Sequence, residues 1–396
     1  MRLVVLQYGN YAEAEHRFAA GGPETYYGQR YSVNAVAEVA KRIDSLTVLH
    51  FSRDDAEQKL PSGVTSLGLE LYPPGRRGRH LKLLRALQRL RADHLILGAP
   101  LPLVIGWALA RGIRTLPLFA DSFLAEGTKA RIKFGLLRTL LNNRRIDWVS
   151  NHNLAASLDL VRIGIDPRKV LPFDWPVLIS PADRPAKELG TRAEFRLIYV
   201  GQVTEPKGVG DLIEAIALLR AKPGGRQWSA TIVGGHDGTL ARKVEALGLS
   251  SAITFLGPVS HDRVVPLMNE HDAVVVPSRH EYPEGLPMTL YEGLCSRTPI
   301  VCSDHPMFRM KLRDGQGAMV FRASSPTDLA DKVRALSADP QLYAKLSQGA
   351  DVAAAAFSCP LKYHELIGRW LSNTFEDRAF LGSFSVATGR YGDLAP

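Results

Sequence analysis

Short apolar runs alternate with helix-length amphipathic segments from one end of this 396-residue chain to the other. That alternation commits it to parallel sheets, because parallel neighbours cannot be joined by a hairpin and need a crossover long enough to hold a helix. In the first half, Leu3–Leu6, Leu46–Leu49, His94–Leu97, Thr115–Phe119 and Trp148–Ser150 predict strands. Helices are expected near 32–43, 80–92, 102–112, 129–143 and 153–163, and the stretch before Gly21 reads as a long loop. Leu178–Gly190 is rich in Pro and charge and reads as a linker. The series then restarts at Phe195–Val200 and continues through Ala230–Val233, Ile253–Leu256, Ala273–Val276, Ile300–Val301 and Ala318–Phe321. Two α/β domains of ordinary size fit this length.

Hydrophobic residues at 45% and charged residues at 22% are those of a soluble globular chain. Met1–Leu6 is too short for a signal peptide's apolar region, and no run approaches the ~20 apolar residues of a membrane span, so a cytoplasmic protein is expected. Cys295, Cys302 and Cys359 lack metal-ligand spacing. The formal charge of +9 is unevenly placed. Arg76, Arg77, Arg79, Lys82, Arg85, Arg89 and Arg91 have no acid among them, and Lys129, Arg131, Lys133, Arg138, Arg144 and Arg145 form a second such group. Segments 76–91 and 129–145 are either solvated helix faces or, since leucines interleave with the first set of cations, surfaces for anionic lipid. No nucleic-acid reader motif accompanies the charge.

The strand-like Ala273–Pro277 runs into Ser278–Leu294, which carries Glu284 in a Gly/Pro loop and Glu292 a turn and a half into a helix that starts near Pro287. Carboxylates accept hydrogen bonds from vicinal hydroxyl pairs, and a helix N-terminus offers amides and a positive dipole end to phosphate. Sugar, ribose and diphosphate are the ligands that need all three. A second loop, Gly201–Gly208, also joins a strand to a helix, and its Lys207 can reach a diphosphate.

Glu284-Gly-Leu-Pro287, followed by Tyr291-Glu-Gly-Leu294 and the strand-like Pro299–Cys302, resembles the donor-site motif of family 4 glycosyltransferases. These are retaining enzymes of α/β class with the GT-B architecture, two Rossmann-like domains facing across a cleft. The resemblance is strong over about residues 195–357. It implies an acceptor-binding domain at 1–178, a linker at 179–194, a nucleotide-sugar domain at 195–360, and a crossing helix with a loosely held tail at 361–396.

The resemblance also implies roles. Lys207 neutralises the diphosphate, Glu284 holds hydroxyls of the donor sugar, and Glu292 holds those of the ribose. Gly285, Leu286 and Met288 offer amides around Pro287, while Gly201, Gln202 and Gly234 line the donor. Gly21 and Gly22 form the paired-glycine loop near the reacting centre. The chain departs from the family twice: Gln202 stands where an Arg is usual, and Asp121 or Ser122 where a His is common. Asp121 then either acts on the acceptor hydroxyl or caps a helix. His305 and His152 read as structural. No cofactor or metal is expected. The donor is a UDP- or GDP-linked sugar, and the acceptor a glycan or a lipid-linked hydroxyl of envelope or exported polysaccharide or glycolipid synthesis. A nucleotide-sugar-binding homologue without turnover is the alternative. A dinucleotide dehydrogenase is disfavoured, because no strand-Gly-x-Gly-x-x-Gly-helix unit opens the chain.

Overall fold

In the first strand, β1 (Arg2–Gln7), Val4 and Leu6 belong to one buried cluster and Leu3 and Val5 to another, because successive side chains point to opposite faces. A sheet covered on both sides follows. Its other members are β2 (Ser45–Ser52), β3 (Ala56–Lys59), β4 (Thr65–Glu70), β5 (His94–Leu97), β6 (Arg114–Phe119), β7 (Val149–His152) and β8 (Val170–Phe173), in the order β3-β4-β2-β1-β5-β6-β7-β8. All pairings are parallel except that of β3 with β4. The computed structural model describes residues 1–25, 28–71, 79–123, 127–176, 179–221, 226–282, 284, 288–309 and 312–391.

Helices α1 (Tyr11–Ala19) and α2 (Gln29–Ala40) bury Tyr11, Ala14, Val33 and Val36 against one face. Helices α3 (Arg79–Leu90), α4 (Pro102–Ala110), α5 (Thr128–Leu141) and α6 (Leu154–Arg162) cover the other with Leu83, Val104, Ile105, Leu137 and Leu160.

A second sheet holds β9 (Glu194–Val200), β10 (Gln227–Val233), β11 (Ile253–Gly257), β12 (Ala273–Val276), β13 (Ile300–Ser303), β14 (Arg313–Asp314) and β15 (Gly317–Phe321), in the order β11-β10-β9-β12-β13-β15-β14. Its helices are α7 (Val209–Arg220), α8 (Thr239–Ala246), α9 (His261–Asn269), α10 (Met288–Cys295), α11 (Pro306–Arg309), α12 (Pro326–Ala338), α13 (Pro340–Gln348) and α14 (Ala350–Phe357). β12 and β13 are buried at every position, as strands covered on both faces must be.

The chain divides into two units, Met1–Pro176 with Cys359–Pro396, and Val177–Ser358. The returning segment brings α15 (Tyr363–Ser372) and α16 (Phe375–Gly382) onto the α1/α2 face of the first sheet, where Leu366, Ile367, Trp370 and Leu381 are buried. Each such side chain contributes roughly 1.5–3 kcal/mol.

The structure differs from the sequence expectations in several places. Residues before Gly21 form α1 rather than a loop, with Asn10 capping it through Glu13 N–H. The pair β3–β4 was hidden because Gly68 interrupts the apolar alternation; a Cβ there meets His50 Cε1 at 3.1 Å. β8 was hidden by Pro172. The tail is ordered as far as Thr388 by α16, whose Thr374 and Asp377 form a capping box.

Among the described residues, no helix is long and apolar enough to cross a membrane, and no group of three or more His, Cys, Asp or Glu is placed to hold a metal ion. All three cysteines are free and buried, and burial pushes the thiols of Cys295 and Cys302 up to about 12.

Candidate functional site

In the second sheet the chain builds outward from β9 through β10 to β11, then returns to set β12 against the other side of β9. The strand order reverses at β9/β12. Loops leaving the carboxyl ends of such a pair diverge around a crevice, where open parallel sheets take ligands. Here those loops are Gly201–Gly208 and the stretch that begins at Pro277.

Three glycines let the loops close together. Gly208 has φ +73°, and a Cβ on it falls 1.9 Å from the carbonyl oxygen of Pro277. Gly201 (φ +150°) and Gly234 (φ +143°) sit backbone to backbone, and a Cβ on Gly234 falls 1.8 Å from the Gly201 oxygen. No other residue fits these contacts.

Lys207 Nζ donates to Glu284 Oε1 at 2.6 Å. Ser278 Oγ donates to the same oxygen, and Ser303 Oγ fixes the Ser278 carbonyl at 2.6 Å. Glu284 is only 4% exposed, so its charge is tolerated because both partners meet it. The Lys207 ammonium also lies 4.3 Å from the centre of the Tyr282 ring. The Tyr282 hydroxyl donates to Gln202 Oε1 at 3.4 Å, and the Gln202 carbonyl accepts from Tyr199. Burial, then the Glu284 charge, raises the pKa of both phenols. Gln202, exposed and neutral, thus shares Tyr282 with the lysine.

His305 contacts the Tyr282 carbonyl through Nε2 at 3.1 Å and accepts from Met307 N–H through Nδ1 at 3.2 Å. The neutral Nε2–H tautomer satisfies both, and burial lowers its pKa. It orders the loop backbone.

Arg279 ties the two loops together. Its Nε and Nη2 donate to Asp211 at 2.9 and 2.7 Å, Nη2 reaches Glu205 at 3.0 Å, and its N–H donates to the Pro206 carbonyl at 2.9 Å. This bidentate pair holds the segment that carries Lys207 against the one that carries Glu284. Glu292 lies in α10, 5% exposed, and its Oε1 meets His261 Nε2 at 2.7 Å. Met288 opens α10, whereas Gly285, Leu286 and Pro287 lie outside the described residues.

Tyr282, Ser278, Arg279 and His261 were not picked out from the sequence. For Arg279 a signal existed: it immediately follows the strand and Ser278, with Glu205 and Asp211 in the neighbouring loop and helix start.

The remaining residues lie in the first unit. Asp121 follows β6, and its Oδ2 is buried with no hydrogen-bond partner among the described residues. Burial raises its pKa, and Lys133 opposes the rise. Gly127, not Asp121, takes the N-cap of α5. Gly21 and Gly22 end α1: Gly21 has φ +76° with its N–H on the Phe18 carbonyl, and Gly22 N–H meets the Arg17 carbonyl at 2.7 Å. That is a Schellman ending. His152, 6% exposed, faces Asp174 Oδ1 at 3.3 Å and packs near Phe173. In the basic segments Arg76 and Arg77 lie outside the described residues. Lys82 pairs with Asp55 and Glu70, and Arg89 with Glu57, so part of the α3 charge is neutralised.

Residues 183–352 match the family of glycosyl transferases group 1. A D-inositol 3-phosphate glycosyltransferase from Nocardia farcinica is 30% identical over 189 residues, 44% of this chain and 41% of that protein. The chain spans about half the length of the curated relatives it matches. Among solved structures, sucrose-phosphate synthase from Thermosynechococcus elongatus superposes with a TM-score of 0.65 at 15% identity, over 95% of this chain and 100% of that one. HepE from Anabaena, solved in complex with UDP, gives 0.63 at 16% identity over 95% and 100%. These likenesses show the fold, and the matched segment contains the Lys207 and Glu284 loops and Glu292 of α10. Residues 183–352 are thus similar to the glycosyl transferases group 1 family, and the solved structures show that the chain has the GT-B fold.

Proposed function

We propose that the protein transfers a sugar, with retention, from a nucleotide-activated donor to a hydroxyl of a glycan or lipid-linked acceptor. The observation that carries this reading is the meeting of Lys207 and Glu284, at 2.6 Å, from the two loops that flank the β9/β12 reversal. A diphosphate drawn to Lys207 brings its sugar to Glu284, whose carboxylate accepts from sugar hydroxyls. Glu292 holds the ribose diol, and the start of α10 at Met288 supplies a positive dipole end.

In the transfer step the bond from the anomeric carbon to the diphosphate oxygen breaks. The acceptor oxygen bonds to that carbon on the same face, and its proton passes to the departing phosphate. No side-chain nucleophile is required, so catalysis rests on positioning and charge stabilisation. Gln202 adds a hydrogen-bond donor without charge, which leaves Lys207 as the main countercharge to the leaving group. UDP is the first nucleotide to test, since HepE was solved with it, and GDP the second. Asp121, whose buried Oδ2 has no hydrogen-bond partner among the described residues, is the candidate for work on the acceptor hydroxyl in the first unit.

An acceptor on an anionic membrane, in envelope or exported polysaccharide or glycolipid synthesis, is supported by α5. Lys129, Ile132, Lys133 and Leu136 share one face at helical spacing, with Ile132 68% and Leu136 46% exposed. Among the described residues none of Lys129, Arg131 and Lys133 enters a salt bridge.

The test is incubation with UDP- and GDP-linked sugars while following the anomeric protons by NMR. The expected product keeps the donor's anomeric configuration, and Lys207→Ala gives none. An inverted product, or no turnover of any donor and acceptor pair, contradicts the proposal.

A further inference from the structure

The contact between His261 and Glu292 carries a second conclusion, which rests on the ribose role of Glu292. Glu292 stands in the second turn of α10 with its side chain 7% exposed, and His261 is the first residue of α9 with its side chain 15% exposed. α9 follows β11, so it begins at the same carboxyl edge of the sheet as the Lys207 loop. His261 Nε2 lies 2.7 Å from Glu292 Oε1.

A buried carboxylate that must receive two hydroxyls has a positional problem. It can rotate about three side-chain bonds, and a vicinal diol is bound well only when both acceptor positions are already set. One hydrogen bond to Oε1 from a ring anchored at a helix start fixes that rotation. It leaves Oε2 and the second lone pair of Oε1 to accept from the two hydroxyls. Removing the ring leaves a nearly buried charge without its partner, which then turns away or takes up water.

We propose that His261 is a positioning residue that sets Glu292 for the ribose diol and thereby gives the site its preference for ribonucleotides over 2′-deoxyribonucleotides. It does not touch the reacting atoms. Its contribution is confined to the nucleoside end of the donor, and the diphosphate end at Lys207 is independent of it.

Isothermal calorimetry with UDP, GDP and their 2′-deoxy forms tests this, with inorganic pyrophosphate as a probe of the Lys207 end alone. The wild-type protein is expected to bind the ribo form of its preferred diphosphate at least about tenfold more tightly than the deoxy form. In His261→Ala that ratio falls toward one while pyrophosphate affinity stays within about twofold. His261→Gln, which keeps an N–H donor, restores much of the ratio. A merely structural role for His261 would weaken all probes together. His261→Phe, which fills the volume without a donor, supplies the comparison should the alanine variant fail to fold. A full ribo preference retained in both His261→Ala and His261→Phe, alongside its loss in Glu292→Ala, overturns the proposal and leaves the ribose role standing. A wild-type protein that binds neither diphosphate, or shows no ribo preference, overturns the ribose role itself.

Discussion

Lys207 Nζ and Glu284 Oε1 meet at 2.6 Å, so the charge assigned to the diphosphate and the carboxylate assigned to the sugar neutralise each other across the two switch-point loops. The pair therefore has a double consequence. Removing Lys207 strands the buried Glu284 carboxylate, removing Glu284 leaves the half-buried ammonium against the Tyr282 ring, and a donor that binds must exchange this contact for contacts of its own.

Lys207→Ala and Glu284→Ala should each abolish transfer, and Lys207→Ala, which strands the buried carboxylate, should cost about 3–5 kcal/mol of stability and Glu284→Ala less. The double variant Lys207→Met/Glu284→Gln should lose less than the sum of the two alanine variants, by about 0.5–3 kcal/mol of coupling. Urea unfolding of the set measures this. Glu284→Gln alone, which keeps the shape, should fold and lose transfer by at least about a hundredfold.

Gly208→Ala places a methyl 1.9 Å from the Pro277 oxygen at positive φ, whereas Gly21, also at positive φ, has nothing within 4 Å of its Cβ position. Gly21→Ala should cost only the conformational term of about 1–2 kcal/mol. Gly208→Ala should cost more and also lose nucleotide binding, since the two loops must part. Unfolding midpoints and a nucleotide titration on the two variants separate these effects.

Arg279→Lys keeps the charge and loses the bidentate grip on Asp211. The expected result is a loss of about 1.5–3 kcal/mol with a raised donor KM, because the Lys207 segment is no longer held against the Glu284 loop. An unchanged KM with unchanged stability would remove Arg279 from the site.

Burial raises the pKa of Asp121 above the usual carboxylate value of ~3.9. The folded state then binds more protons than the unfolded one above that value, so this group lowers stability as pH rises through its folded pKa. Asp121→Asn should match the wild type in acid and exceed it in stability at neutral pH, seen as a pH-dependent gap in thermal midpoints. If Asp121 serves the acceptor, the same variant loses transfer, trading activity for stability.

The parallel α/β class was legible because buried strands such as β12 and β13 read as uninterrupted apolar runs. The two loops that meet at Lys207 and Glu284 were legible because Gly208 and the Glu284 stretch occupy fixed places after strands. What stayed hidden depends on contacts distant in sequence. The Arg279–Asp211 pair joins residues 68 apart and the His261–Glu292 pair joins residues 31 apart. The Gly21–Gly22 pair shows the reverse case, since a local motif that reads as a ligand loop also terminates a helix.

The most direct test of the central claim is a thermal-shift titration with UDP- and GDP-sugars on the wild-type protein and Lys207→Ala. A ligand that binds only the native state raises Tm with its concentration relative to Kd, by about 2.7 kcal/mol of stabilisation at a hundredfold excess over Kd. One nucleotide sugar is expected to raise the wild-type Tm strongly and to leave that of Lys207→Ala nearly unmoved. No shift with any nucleotide sugar, or an equal shift in both proteins, would contradict a donor site built on Lys207 and Glu284.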